Sequence, residues 1–154
     1  MGGPLKIDNV VHDETDNFQK CSFLVDNVEY FSAENYFQCA KTTNLDDREL
    51  VRFSGCGDGC WAAGNKVKLR KDWEEVKVNE MYKGNKAKFE QNPELANALI
   101  SSKGPLEGGI STKFWNYWNQ QLLTRIRAEL RGTEEDLKVA SEIKYEMDKY
   151  AEQN

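Results

Sequence analysis

The chain has 154 residues, 39% hydrophobic and 31% charged, with 21 Lys and Arg against 26 Asp and Glu, the size and balance of one ordinary globular domain. No apolar run approaches the roughly 18 to 20 residues of a membrane span, and the start MGGPLKIDN lacks the charged and apolar regions of a leader. Four scattered cysteines, Cys21, Cys39, Cys56 and Cys60, do not make a disulfide scaffold. The sequence reads as a soluble, cytoplasmic domain with reduced thiols and no membrane partner. Its one histidine, His12, lies in the acidic stretch HDETD, far from any nucleophile motif, which argues against Ser-His-Asp and Cys-His chemistry. GCGDGC supplies Cys56 and Cys60 without a second ligand pair, so neither a metal nor a cofactor is expected.

The first third reads as strand. LKIDNVV at 5–11 and CSFLVDNVEYF at 21–31 are β-branched and aromatic, and Asp26-Asn27 suits a tight hairpin turn because Asn tolerates a left-handed backbone. After Phe31 the period becomes helical: Ala33, Tyr36, Phe37 and Ala40 recur on one face, Ser32 precedes them as an amino cap, and Glu34 falls in an exposed first turn. Further helices are predicted over 45–54, 60–64, 73–91 and 93–101, the last opened by Pro93. Pro105 and Gly108-Gly109 break the pattern. Leu122, Leu123, Ile126 and Leu130 then mark an apolar stripe closed by Gly132. A final helix over 134–151 has Thr133 as cap, acids in its first turn, and Leu137, Ala140, Ile143, Met147 and Tyr150 on one face. The predicted fold class is α+β: a single mostly helical domain over 1–154 with a small antiparallel sheet near its amino terminus.

Charge is unevenly spread. Residues 1–60 hold 5 basic and 11 acidic side chains, residues 61–132 hold 13 and 8, and residues 133–154 hold 3 and 7. Within the basic middle, Lys66, Lys68, Arg70 and Lys71 alternate with Val67 and Leu69, so extended backbone would put several cations on one face. Such a cluster suits a bound phosphate, or an ordinary solvated strand. The negative total and a pI near 5.1 argue against a stable nucleic-acid complex. Four tryptophans, Trp61, Trp73, Trp115 and Trp118, suggest either a planar surface for a nucleobase or core packing.

Five strings occur in order: NF at 17–18, SAENYFQCAK at 32–41, LRKDWEEVKVNEMYKGNKAKFEQNPEL at 69–95, LEGG at 106–109 and FWNYWNQQLLTRIRAEL at 114–130. Together they resemble the NADAR (YbiA-like) family over about residues 17–131. The resemblance implies an α+β domain that cleaves N-glycosidic bonds of ribosylated metabolites or ADP-ribosylated nucleobases; some members dispose of riboflavin intermediates and others reverse guanine ADP-ribosylation. It places Glu34 at the catalytic carboxylate, Lys41 at the lysine closing the same motif, Trp73 and Trp115 at family tryptophans, and Glu107 at the acid of the LxE segment. Breaking a C1–N bond develops positive charge on ribose, so a nearby carboxylate and an assisted leaving base suit the chemistry.

Three departures from the family pattern fall near the expected pocket. Asn65 stands where members carry Arg, leaving Lys66 or Arg70 to hold phosphate; Thr112 stands where members carry an acid; and the glycine-rich loop after Trp115 is shortened to Asn116-Tyr117-Trp118-Asn119. The expected function is N-glycosidase action on a small ribosylated or ADP-ribosylated substrate. The alternative is a nucleotide-binding or ADP-ribose-binding module with weak or lost catalysis, and a third reading is a docking protein that uses its acidic last helix.

Overall fold

The structure, a computed structural model, describes residues 2–154. Its amino-terminal third is shaped by two Asp-Asn turns. Asp8-Asn9 and Asp26-Asn27 both adopt positive φ, at 53° and 64° and at 52° and 65°, the geometry that matches the twist of paired strands. The run at 5–11, read above as one strand, is therefore a hairpin of β1 (Leu5–Ile7) and β2 (Val10–His12), and β3 (Phe23–Val25) pairs with β4 (Val28–Tyr30) in the same way. Strand β5 (Leu106–Glu107), absent from the sequence expectation, adds to β1 and completes a three-stranded antiparallel sheet in the order β2-β1-β5.

Seven helices follow the predicted pattern closely: α1 (Ala33–Ala40), α2 (Leu45–Arg52), α3 (Asp58–Gly64), α4 (Trp73–Gln91), α5 (Pro93–Ser101), α6 (Lys113–Arg131) and α7 (Glu134–Gln153). The caps explain their bounds. Ser32, Asn44, Thr112 and Thr133 each accept from a backbone N–H three residues on, and Gly132, with φ 71°, ends α6 in a left-handed turn. The segment 66–71 is a loop and not the extended strand expected. No described helix is long and apolar enough to cross a membrane.

Helix α1 is the centre of packing. All eight of its residues are buried, against α2, α3 and α4. Phe37 joins Phe23, Phe89, Met81, Leu99, Leu122, Leu123 and Ile126 in one apolar core. The approach of α4 to α1 depends on Gly84, where a Cβ would stand 2.5 Å from Cδ1 of Tyr36. Tyr36 cannot easily give way, because its hydroxyl donates to Glu80 at 2.7 Å and its ring meets Tyr30 edge-on at 5.0 Å. Alanine inside a helix normally gains about 1 kcal/mol over glycine, but here overpacking should outweigh that gain. Gly84→Ala is expected to lower stability by about 1–3 kcal/mol, read as a fall in the urea midpoint; an unchanged or higher midpoint would show that the helices are not so tightly joined.

Candidate active site

Glu34 enters the site through backbone geometry. Ser32 accepts from Asn35 N–H at 2.9 Å and donates to the carbonyl of Cys56 at 2.6 Å, tying the start of α1 to the loop before α3. Glu34 N–H donates to the carbonyl of Asn17 at 2.8 Å, so the segment 16–18 lies across the same end of the helix. The side chain is wholly buried at 0% exposure, which corrects the expected exposed first turn. Gln38, one turn on, donates from Nε2 to Glu34 Oε1 at 2.7 Å.

The backbone of α3 passes directly over this pair. A Cβ on Gly64 would stand 2.8 Å from Cβ of Gln38 and collide with its amide, so the glycine permits the contact and the helix fixes the amide in turn. Cys60, on the same helix, is pushed up to about 12 by burial first and by the Glu34 charge next. The thiol is therefore neutral and packs as a small apolar group.

Lys41 closes α1 and lies half-buried, its Nζ 3.4 Å from Oδ1 of Asn65. Burial lowers its pKa, and the charge of Glu34 pulls it back upward. Glu34, Gln38, Lys41 and Asn65 thus form one polar group between α1 and the carboxyl end of α3.

A cleft of about 580 Å³ opens against the 16–18 segment; Glu34, Gln38, Lys41 and Asn65 do not line it, and Glu34 acts on it through its charge on Asp16. Its walls are Asp16 and Phe18 on one side, Asp58 and Trp61 of α3 on another, and Ile110 to Thr112 on a third, with Gly2 and Gly3 along its edge. Burial raises the pKa of Asp16, against the pull of the Phe18 N–H and of Lys88, and the charges of Asp13 and Glu34 push it further up. Of the expected site residues, Thr112 lines this cleft, where it also caps α6 by accepting from Trp115 N–H at 3.2 Å.

The other expected residues lie elsewhere. Trp73 and Trp115 are 6% and 7% exposed and flank Phe37, with ring centroids at 5.1 and 5.2 Å; they extend the core and present no open ring face to a base. Lys66 lines a groove away from this cleft, and Arg70 and Lys71 line the adjoining one, with Asp47 and Lys68 common to both. The Arg70 guanidinium is held by Asp72 at 2.6 and 3.0 Å. Glu107 is exposed, opposite Lys6 in the sheet register. Asp16 and Phe18 are cleft residues without a ligand-binding signal in the sequence, and of the four tryptophans offered as a planar surface only Trp61 lines the cleft. Trp61, 40% exposed, is the most open of the four tryptophans. Among the described residues no group of three or more His, Cys, Asp or Glu side chains is placed to hold a metal ion.

The motif SAENYFQCAK thus builds a buried carboxylate whose charge reaches Asp16 on the wall of an aromatic cleft, within a small α+β domain. The NADAR domain matches over residues 6–106, and the chain belongs to that family. It is 36% identical over 104 residues to the N-glycosidase YbiA of Shigella boydii, covering 66% of this chain and 64% of that protein. It is 29% identical over 134 residues to the maize chloroplastic riboflavin biosynthesis protein PYRR, covering 70% of this chain and 21% of that protein. The chain therefore spans a little under two thirds of the YbiA relative and about a fifth of the maize one. The NMR structure of Escherichia coli YbiA superposes with a TM-score of 0.66 at 28% identity, covering 77% of this chain and 78% of that one.

The loop that carries Asp16 is held from below by α4. Asn85 donates to the side chain of Asn17 at 3.1 Å, and Lys88, with no exposed surface, donates to the carbonyls of Glu14 and Asp16 at 2.8 and 2.9 Å. Burial lowers the pKa of Lys88 from 10.5 to about 8, despite the opposing pull of Cys21, Asp16 and Glu14. Between pH 8 and 10.5 the folded state therefore binds fewer protons here than the unfolded chain. Stability contributed by Lys88 should rise with pH across that window and be lost as pH falls through 8, a change of about 3 kcal/mol. The stability difference between wild type and Lys88→Met, measured by urea unfolding from pH 7 to 10.5, isolates this effect from the Tyr and Cys groups that titrate in the opposite sense. It should widen with pH; a flat difference would contradict the assignment.

Proposed function

We propose that the protein is an N-glycosidase that hydrolyses the bond between ribose and a base in a small ribosylated or ADP-ribosylated substrate, with Glu34 as its principal carboxylate. The reading is carried by one observation: Glu34 is held at a helix start by Gln38, close enough for its charge to act on Lys41 and on Asp16 at the wall of an aromatic cleft. Membership of a family with N-glycosidase relatives supports it. In the reaction, electrons of the C1–N bond leave with the base and positive charge develops on C1 and the ring oxygen. A carboxylate in a water-poor site stabilises that charge more strongly than one in bulk water, and it can accept the proton of the water that adds to C1. Lys41 and Asn65 are assigned to orient anionic or hydroxyl groups of the substrate.

Full burial of Glu34 favours a second reading, a nucleotide-binding or ADP-ribose-binding module in which the carboxylate stays closed off. The two separate on turnover. Purified protein is incubated with ribosylated pyrimidines, ADP-ribosylated guanine and NAD, and free base is followed by chromatography. Wild type should release base from at least one of these. Glu34→Gln should lower kcat by about 100-fold or more with the thermal midpoint retained, the effect expected for one positioned carboxylate. A folded Glu34→Gln variant with wild-type turnover would remove the assignment, and saturable binding without release in wild type would establish the second reading.

Gly64→Ala tests the positioning of Glu34 without touching it. The added methyl displaces Gln38 and removes the amide donor from Glu34 Oε1, so kcat should fall roughly tenfold while KM changes little. Equal kcat in the two proteins would show that the Gln38 contact does not position the carboxylate.

A further inference from the structure

We infer that the cleft between the 16–18 segment and α3 is the subsite for the leaving base, with Trp61 as its stacking face and Asp16 as the proton donor to the departing ring nitrogen. The inference rests on the N-glycosidase reading for its chemistry, but its geometry stands on residues that reading did not use.

The aromatic wall comes first. The Phe18 ring lies at contact distance from Gly57, the residue that precedes α3: a Cβ there would stand 3.5 Å from Cδ1 of the ring. Trp61 is one helical turn further along, its N–H bonded to the carbonyl of Gly57 at 3.0 Å. Phe18 and Trp61 therefore line the same cleft one turn apart. Trp73, Trp115 and Trp118 are each at most 7% exposed, whereas Trp61 leaves 40% of its surface open. A planar heteroaromatic ring is the ligand that such a face recognises, because stacking needs area and a π-face and no particular donor pattern.

Asp16 supplies what the stacking face lacks. Its Oδ1 accepts from Phe18 N–H at 2.9 Å, which fixes the carboxyl at the cleft wall. The groups acting on it are Lys88 below, Asp13 on its own segment and Glu34 behind. Burial and the two acids outweigh Lys88, so the carboxyl holds its proton to a higher pH than an exposed aspartate. Asp16 is thus placed to donate a proton to the departing base, leaving Glu34 to face the charge that develops on C1. As C1–N breaks, its electron pair moves to the base nitrogen, which takes the proton of Asp16. Water adds to C1 and gives a proton to Glu34, and exchange with solvent restores both groups. Thr112 brings only a neutral hydroxyl to this cleft, and of the two carboxyls on its walls, Asp16 and Asp58, Asp16 is the one whose affinity for its proton is raised.

Two measurements on the intact protein test this. In the first, acrylamide quenching of tryptophan fluorescence is followed with and without millimolar cytosine or adenine. Wild type should show one readily quenched component that either free base protects at least twofold, and Trp61→Ala should lack that component. Absence of protection by both bases overturns the subsite whether or not the protein is an enzyme. In the second, kcat is measured for a ribosylated base and for 4-nitrophenyl β-D-ribofuranoside, whose phenolate departs without protonation. Asp16→Asn should lower kcat for the base substrate about 100-fold, change the nitrophenyl reaction less than threefold, and abolish the alkaline fall of kcat. Equal losses on both substrates, or none, overturn the donor role. If Glu34→Gln leaves hydrolysis intact, the N-glycosidase assignment of Glu34 fails while the quenching result still decides the base subsite.

Discussion

Because every residue from Ala33 to Ala40 is buried, helix α1 has no solvent face on which to place Glu34, Asn35 and Gln38. A buried polar group without a partner costs on the order of 1–3 kcal/mol, so the surrounding chain is arranged to meet these three. Asn35 accepts from Phe31 N–H and donates to the carbonyls of Arg52 and Gly55, which draws the turn after α2 onto the helix start. Gln38 is turned toward Glu34, and α3 can lie over both only because Gly64 brings no side chain. The loops that wall the cleft are thus positioned by the same bonds that make α1 tolerable in the core.

The same constraint explains why a stiff site sits in so small a domain. The 16–18 segment has little secondary structure of its own, yet it is fixed from both sides. Glu34 N–H bonds its backbone from α1, and Asn85 and Lys88 bond it from α4. A buried ammonium is a costly way to hold a loop, and three donors aimed from one atom reach two carbonyls that a neutral side chain of that length would leave open. The cost is reflected in the depressed pKa of Lys88.

The helical part of the fold was legible because its signals are local. Caps such as Ser32 and Thr133, Pro93 at a first turn, and Gly132 past a last turn act within a few residues. Asp26-Asn27 was read as a turn, and the same dipeptide at 8–9 was passed over inside a continuous apolar run; the two turns have almost the same backbone angles. Strand β5 is two residues long and exists only through pairing with β1, about a hundred positions away, so no local pattern marks it. The candidate carboxylate was legible from its motif, and its burial was not, since a first-turn Glu is ordinary helix chemistry. Which of the four tryptophans opens to the cleft was hidden for a related reason. A short helix rich in Gly and Ala carries too little periodicity to say which way its one large side chain faces.

The basic middle of the sequence takes on a different meaning in three dimensions. Counted along the chain, residues 66–71 look like an anion cradle, yet they line two adjoining grooves away from Glu34 that also carry Asp47, and Arg70 is committed to Asp72. Lys41 is the cation whose pKa registers the charge of Glu34. A guanidinium at position 65 would have placed a second fixed charge beside Lys41; Asn65 instead offers its amide oxygen to the ammonium at 3.4 Å, which satisfies Lys41 without adding charge. The site therefore sets a buried carboxylate near a half-buried ammonium, with the Gln38 amide donating to Glu34 and the Asn65 amide accepting from Lys41. In surroundings of low dielectric, such near-neutrality lets a carboxylate remain buried beside a cleft instead of being drawn to the surface.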